Sequence, residues 1–115
     1  MVSFELNIRD STIKKTNYGV LAQYNQPSVS ILRFLGSTIS NSFNGFFFTS
    51  ISGVQLIIDN CGFKNNENIG LEVANSYTIV SITNTTIRNN GLGLLVTSNV
   101  IGTSFPSVIL ENVER

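Results

Sequence analysis

The sequence predicts an all-β protein built as a parallel β-solenoid, in which one short unit recurs along the chain and its copies stack. Three observations support this fold class: strand-like alternation of apolar and polar residues, bends rich in asparagine and glycine, and a repeat of about two dozen residues. Helical stripes with caps are not apparent in the sequence. Units of this length with several short strands are typical of solenoids.

The repeat is clearest in a column of small or polar residues that follows each strand-like segment. Asp10, Gly36, Asn60, Asn84 and Asn112 occupy this column, in steps of 26, 24, 24 and 28 residues. The steps predict about four and a half coils in one domain, and the chain stops partway through the fifth coil. We therefore expect a segment of a longer solenoid that lacks end caps. The approximate coil bounds are 4–28, 29–53, 54–77, 78–106 and an incomplete 107–115.

Inward columns follow from the same alignment. Equivalent positions of stacked coils lie about 4.8 Å apart, which is the spacing of neighbouring strands. Side chains alternate between the two faces of a strand, so every second residue can point into a core. We expect three apolar inward columns and one column of small residues at the corner beside them. These columns are Leu6/Leu32/Leu56/Val80/Val108, Ile8/Phe34/Ile58/Ile82/Leu110, Ile13/Ile39/Phe63/Ile87 and Ser11/Ser37/Cys61/Thr85.

Two polar columns are predicted at the bends. One is the column that contains Asn60 and Asn84, and the other is Lys15, Asn41, Asn65 and Asn89. Stacked asparagine amides can hydrogen-bond one coil to the next, and asparagine tolerates the left-handed backbone that such bends need. The sequence therefore predicts asparagine ladders. A glycosylation sequon begins at Asn84, but we expect a ladder position to leave no room for a glycan.

The order of these positions resembles the repeat of the right-handed parallel β-helix, or pectin-lyase-like, family. The shared pattern is an apolar alternation ending in asparagine (Asp10 and Gly36 in the first two copies), a small residue, an isoleucine or phenylalanine, an asparagine bend (Lys15 in the first copy), a glycine and a second apolar alternation. The resemblance covers nearly the whole chain and implies a right-handed parallel β-helix at the cell surface or outside the cell. It implies no single activity, because this scaffold serves polysaccharide lyases, hydrolases, phage tailspikes, adhesins and inert surface proteins.

Composition excludes several classes of function. The chain has seven basic and seven acidic residues, no histidine and one cysteine. A balanced charge gives no overall field to attract nucleic acid, and the apolar runs are too short to span a bilayer. The single cysteine, Cys61, excludes an internal disulfide and is expected to be a small buried filler. The first residues alternate in polarity and carry early charges, so we do not expect them to act as a signal peptide. We expect no cofactor and no metal.

Catalytic residues are not expected in this chain. The resemblance implies clustered aspartates with a basic residue for lyases, or several aspartates with a histidine for hydrolases, and neither set maps onto the sequence. Asp59 and Glu111 share a column but lie two coils apart, roughly 10 Å. A retaining pair of carboxyl groups needs about 5 Å and an inverting pair up to about 9.5 Å. The alternative is a fragment of a carbohydrate-active enzyme whose catalytic coils lie outside this chain.

Two outward columns are candidate binding surfaces. The basic column is Lys14, Ser40, Lys64 and Arg88. Its cations Lys14, Lys64 and Arg88 are candidate residues for binding an anionic glycan. The ordinary alternative is a solvated face whose like charges oppose edge-to-edge association.

The outer apolar column consists of Leu21, Phe47, Glu72 and Leu95. If it faces outward, Leu21, Phe47 and Leu95 are candidates for contact with a partner chain, because exposed apolar stripes are usually covered. The run Phe46–Phe48 fits a core in either phase. The sequence thus predicts a non-catalytic structural or binding module with a polysaccharide, another chain or flanking coils as partners. A self-assembling or adhesive repeat is a further alternative for function, and a small β-sandwich is the alternative fold.

Overall fold

The fold consists of β-strands joined by bends. The structure, a computed structural model, describes residues 3–24, 29–50, 55–74, 79–97 and 107–111. Every regular element in these ranges is a strand, numbered in chain order. The strands are β1 Ser3–Arg9, β2 Thr12–Lys14, β3 Tyr18–Tyr24, β4 Val29–Leu35, β5 Thr38–Ser40, β6 Asn44–Ser50, β7 Gln55–Asp59, β8 Gly62–Lys64, β9 Ile69–Ala74, β10 Ile79–Thr83, β11 Thr86–Arg88, β12 Leu92–Thr97 and β13 Ser107–Glu111.

The strands form three parallel sheets that the chain visits in turn. The first sheet has the order β1-β4-β7-β10-β13, the second β2-β5-β8-β11 and the third β3-β6-β9-β12. Each of the first four coils contributes one strand to each sheet, and β13 adds a fifth strand to the first sheet. The prediction of an all-β parallel solenoid is therefore confirmed. The chain completes three turns between β2 and β11, which is fewer than the four and a half coils predicted.

The strand registers reproduce the predicted inward columns. Leu32 pairs with Leu6 on one side and Leu56 on the other, and Ile39 pairs likewise with Ile13 and Phe63. The middle coils enclose an apolar core in which the inward side chains of successive coils pack against one another. The described core residues are Leu32, Phe34, Ile39, Phe46, Phe48, Leu56, Ile58, Cys61, Phe63, Leu71, Val73, Val80, Ile82 and Ile87.

The ends of these columns differ from the prediction. Leu6 is 45% exposed, and Ile8 and Ile13 are only partly buried. Within the described residues the first coil is packed on one side only, and an open apolar hollow of about 480 Å³ lies against it. At the other end Val108 and Leu110 pair through their backbones with β10, while their side chains lie outside what the structure describes. Asn112 lies outside the described residues.

Both predicted bend columns adopt the left-handed backbone. In the first, φ is 50° at Asp10, 56° at Asn60 and 49° at Asn84, and in the second it is 58° at Asn65 and 54° at Asn89. The backbone amides at these bends donate to carbonyl groups of the next coil, for example Asn60 to Thr83 at 3.1 Å and Asn65 to Arg88 at 3.0 Å. The preference of asparagine for positive φ therefore accounts for its recurrence here.

The predicted side-chain ladder is wrong by one residue. Asn41, Asn65 and Asn89 are exposed, because the left-handed bend turns their side chains away from the core. The residue that follows each of them points inward and joins a ladder of Thr16, Ser42, Asn66 and Asn90. We call it the buried ladder because its central members Ser42 and Asn66 are buried, whereas Thr16 at one end is exposed and Asn90 at the other is half-buried.

Asn66 is the best-connected member of this buried ladder, at 1% exposure. Its Nδ2 donates to the Ile39 carbonyl at 3.3 Å and to Asn90 Oδ1 at 2.9 Å. Its Oδ1 accepts from the Ser42 amide at 3.1 Å. One side chain thus bonds to the coils on both sides of its own and satisfies backbone groups that water does not reach.

A glycine column marks the entry to the third sheet. A Cβ atom on Gly45 would lie 2.1 Å from the carbonyl oxygen of Gly70, and one on Gly70 would lie 2.9 Å from that of Gly93. A Cβ atom on Gly19 would lie 2.8 Å from the carbonyl oxygen of Gly45. Successive coils therefore approach so closely at this corner that a side chain cannot be accommodated.

Candidate functional site

The second sheet presents a polar outer face. Its strands have only three residues, and the middle residue of each points into the core. The first and third residues of each strand therefore point outward. We call these outward residues the polar face: Thr12, Lys14, Thr38, Ser40, Gly62, Lys64, Thr86 and Arg88.

The three predicted cations lie in one column of the polar face. Lys14 pairs with Ser40, Ser40 with Lys64, and Lys64 with Arg88. Lys14, Lys64 and Arg88 are all exposed. Lys64 and Arg88 occupy adjacent strands, about 4.8 Å apart, and Lys14 lies two strands from Lys64. The structure thus brings together the residues that the repeat had aligned.

The polar face has an exposed polar border that contains a fourth cation. Lys15, at φ 60°, is exposed beside Lys14, and Asn65 and Asn89 continue the same bend. Sequence reasoning had assigned Lys15 to a ladder, although its position directly after Lys14 was a usable signal. On the opposite border Asp10 supplies one exposed carboxyl group. The face is therefore predominantly basic in a chain with no net charge.

Charges on the first sheet are arranged differently. Arg33 Nη1 lies 3.2 Å from Glu5 Oε2 and also donates to Asn7 Oδ1 at 3.4 Å. This ion pair on the outer face of the first sheet compensates its own charge.

Asp59 is held as a carboxylate at the corner between the first and second sheets. The Thr83 hydroxyl and the Asn84 amide donate to Asp59 Oδ1, the latter at 3.0 Å, and these bonds lower the pKa of Asp59. Thr83 pairs with Asp59 on one side and Glu111 on the other, so the two acidic residues lie two strands apart as predicted. The described residues contain no group of three or more His, Cys, Asp or Glu that is arranged to hold a metal ion.

Cys61 is part of the inward column of small residues. It is 7% exposed, and its single S–H lies between the carbonyl oxygens of Phe34 and Asp59, each 3.2 Å from Sγ. Ser37 and Thr85 make the same bond to the carbonyl two residues earlier, at 2.9 and 2.8 Å. Burial raises the pKa of the Cys61 thiol. The thiol therefore takes the place of a hydroxyl in a structural column.

The outer apolar column faces outward, so its predicted phase is confirmed. Phe46 and Phe48 are buried at 1% and 0% exposure, whereas Phe47 between them is half-buried and lies edge-on to the exposed ring of Tyr18 at 6.1 Å. Leu21 is 52% exposed. Phe47 pairs with Leu21 and Glu72, and Glu72 with the half-buried Leu95.

Glu72 interrupts the outer apolar column with an acidic group. Partial burial raises the pKa of its carboxyl group.

Comparison with known proteins gives no relative for this chain: no family model, curated protein or solved structure matches it. The fold and the polar face therefore describe the class of this protein: it is a parallel β-solenoid whose second sheet has a basic, polar outer surface. No helix within the described ranges is long and apolar enough to cross a membrane.

Proposed function

We propose that this chain is a non-catalytic binding module of a β-solenoid protein and that its polar face binds an anionic glycan. The observation that carries the proposal is the column of exposed Lys14, Lys64 and Arg88 on adjacent or nearly adjacent coils. Lysine and arginine form charge-assisted hydrogen bonds with carboxylate and sulfate groups. A linear polyanion that lies along the solenoid axis would meet these cations in sequence.

The neutral residues of the polar face favour a sugar over a nucleic acid. Thr38, Thr86, Asn65 and Asn89 supply hydroxyl and amide groups beside the cations, and such groups both donate to and accept from sugar hydroxyls. Single-stranded nucleic acids are usually held by aromatic side chains that stack on bases. The eight residues that define the polar face include no aromatic residue.

We also propose where the parent protein is located and which way its coils wind. The resemblance to pectin-lyase-like β-helices supports an extracellular or cell-surface parent protein and a right-handed coil. The parallel sheets are consistent with this family, and the finer assignment is part of the proposal.

Removing two cations from the basic column is expected to weaken binding of heparin or polygalacturonate by about tenfold, because each exposed ion pair contributes up to about 1 kcal/mol. The variant is Lys64→Gln with Arg88→Gln, titrated by calorimetry at low and physiological salt. Arg9→Gln with Arg33→Gln removes the same charge from the first sheet and serves as the control. Equal affinities for the two double variants, or equal binding of neutral dextran, would contradict a site on the polar face.

The outer apolar column favours a second function, contact with another protein chain. Leu21 is 52% exposed, and Phe47 lies next to it in register. We expect Leu21→Lys with Phe47→Lys to abolish concentration-dependent association in sedimentation experiments, because two charges would lose their hydration at the contact. Gln23→Lys, on the same strand and also exposed, is the control and should leave association unchanged. A wild-type chain that stays monomeric at all concentrations would eliminate this function for self-association.

A further inference from the structure

The corner at Asn84 offers a modification site that the sequence pattern had argued against. The sequence contains one Asn-X-Ser/Thr sequon, Asn84–Thr85–Thr86. A place in a packed ladder would exclude a glycan, but Asn84 is exposed. Its φ of 49° turns the side chain out of the solenoid, as at the other left-handed bends.

The residues around Asn84 keep the corner intact while leaving this side chain outside. Thr85, at 1% exposure, points the opposite way and donates its hydroxyl to the Thr83 carbonyl at 2.8 Å. Asn84 Nδ2 donates to Asp59 Oδ1 at 3.0 Å. An asparagine amide carries two hydrogens, and glycosylation replaces one of them, so the bond to Asp59 is kept when the sugar replaces the hydrogen that points away from Asp59.

We propose that Asn84 is an N-glycan acceptor, an inference that rests on the extracellular location proposed above. The donor is an oligosaccharide linked to a lipid through pyrophosphate. Asn84 Nδ2 forms a bond to C1 of the first sugar, the bond between C1 and the pyrophosphate oxygen breaks, the lipid pyrophosphate departs and the amide loses one proton. The glycan extends from the border of the polar face, two residues before the start of β11.

The repeat provides two matched sequons. Asn60 occupies the same exposed corner one coil earlier, and Gly62→Thr creates a sequon there with threonine neighbours at 38 and 86 in its column. Asn66 is 1% exposed and bonded on both sides, and Asn68→Thr creates a sequon at this buried position.

The experiment is to express the chain behind a cleavable secretory leader in cultured animal cells and to measure its mass before and after enzymatic removal of N-glycans. The wild type should carry one glycan, and the Asn84→Gln variant should carry none. The wild type should unfold at the same temperature before and after enzymatic removal of the glycan. Gly62→Thr should be secreted with two glycans. Asn68→Thr should be secreted only without a glycan at Asn66, since a glycan there would break the buried ladder.

Wild-type chain that is secreted and folded without a glycan would overturn the proposal, as would a glycosylated form that unfolds at a markedly lower temperature. Folded Asn68→Thr that carries a glycan at Asn66 would show that side-chain exposure does not govern acceptance in this fold. Polysaccharide binding is measured on protein made in bacteria, which carries no N-glycan. Absence of binding there would contradict the polar-face proposal without bearing on whether Asn84 is glycosylated.

Discussion

Gly45→Ala is expected to destabilise the solenoid by about 3 kcal/mol, because the new Cβ atom has no space at the corner that leads into the third sheet. The atom would lie 2.1 Å from the carbonyl oxygen of Gly70 and 3.2 Å from Asn66 Nδ2. Neither can move away easily, since the first is backbone and the second belongs to the buried ladder. Relief therefore requires two coils to separate, which weakens the sheet hydrogen bonds around them.

Urea unfolding followed by circular dichroism measures this loss, and Gly62→Ala is the matched control. At Gly62 the nearest atom to a new Cβ is Lys64 Cε, 3.0 Å away on a flexible side chain. The column at Gly62 holds threonine on both sides, at Thr38 and Thr86. We expect the control to leave the free energy of unfolding unchanged or to raise it by up to about 1 kcal/mol, because alanine lowers the conformational entropy of the unfolded chain. Equal destabilisation by both substitutions would refute the role of close coil approach.

Asn66→Ala is expected to cost about 3 kcal/mol or more, because it leaves several buried polar groups without partners. The Ser42 amide and the Ile39 carbonyl each lose a bond to this side chain, and Asn90 Oδ1 loses one of its donors. Each buried group left unsatisfied costs about 1–3 kcal/mol. The loss should appear in the urea midpoint with little change in the slope.

Asn65 provides the comparison within the same pair of asparagines. Its side chain is exposed, and its backbone has a φ of 58°. Asn65→Ala should cost about 1 kcal/mol from left-handed strain alone, and Asn65→Gly should avoid that strain. If Asn65→Ala were as damaging as Asn66→Ala, the ladder would lie at the residue predicted from the sequence and not at the one that follows it.

The repeat predicted the inward apolar columns well, because stacking of identical coils imposes the same side-chain pattern on each copy. Leu32, Ile58 and Phe63 are all fully buried for this reason. Leu6 deviates because its exposure depends on what packs against the first coil, and that information is not in the pattern of a single position.

The bends were harder to predict. Asn65 and Asn66 are chemically identical neighbours, and only the sign of φ at the first decides which of them faces the core. The same backbone geometry places Lys15 on the surface beside the basic column and turns Asn84 outward. By contrast, Lys64 and Arg88 lie on strands, where simple alternation determines direction, and their column was predictable.

The parallel register has a consequence for how the chain reaches its fold. Paired residues in the sheets are one coil apart, as with Ile58 and Ile82 across β7 and β10. The first pair of coils must close a loop of about two dozen residues before it gains sheet hydrogen bonds, which makes nucleation slow. Each later coil repeats the same closure against an existing template, so folding can begin at any adjacent pair and spread in both directions. If folding stops between two coils, the last strand formed keeps unpaired backbone groups that a second chain can bind. Rapid addition of the next coil therefore lowers the risk of misassembly.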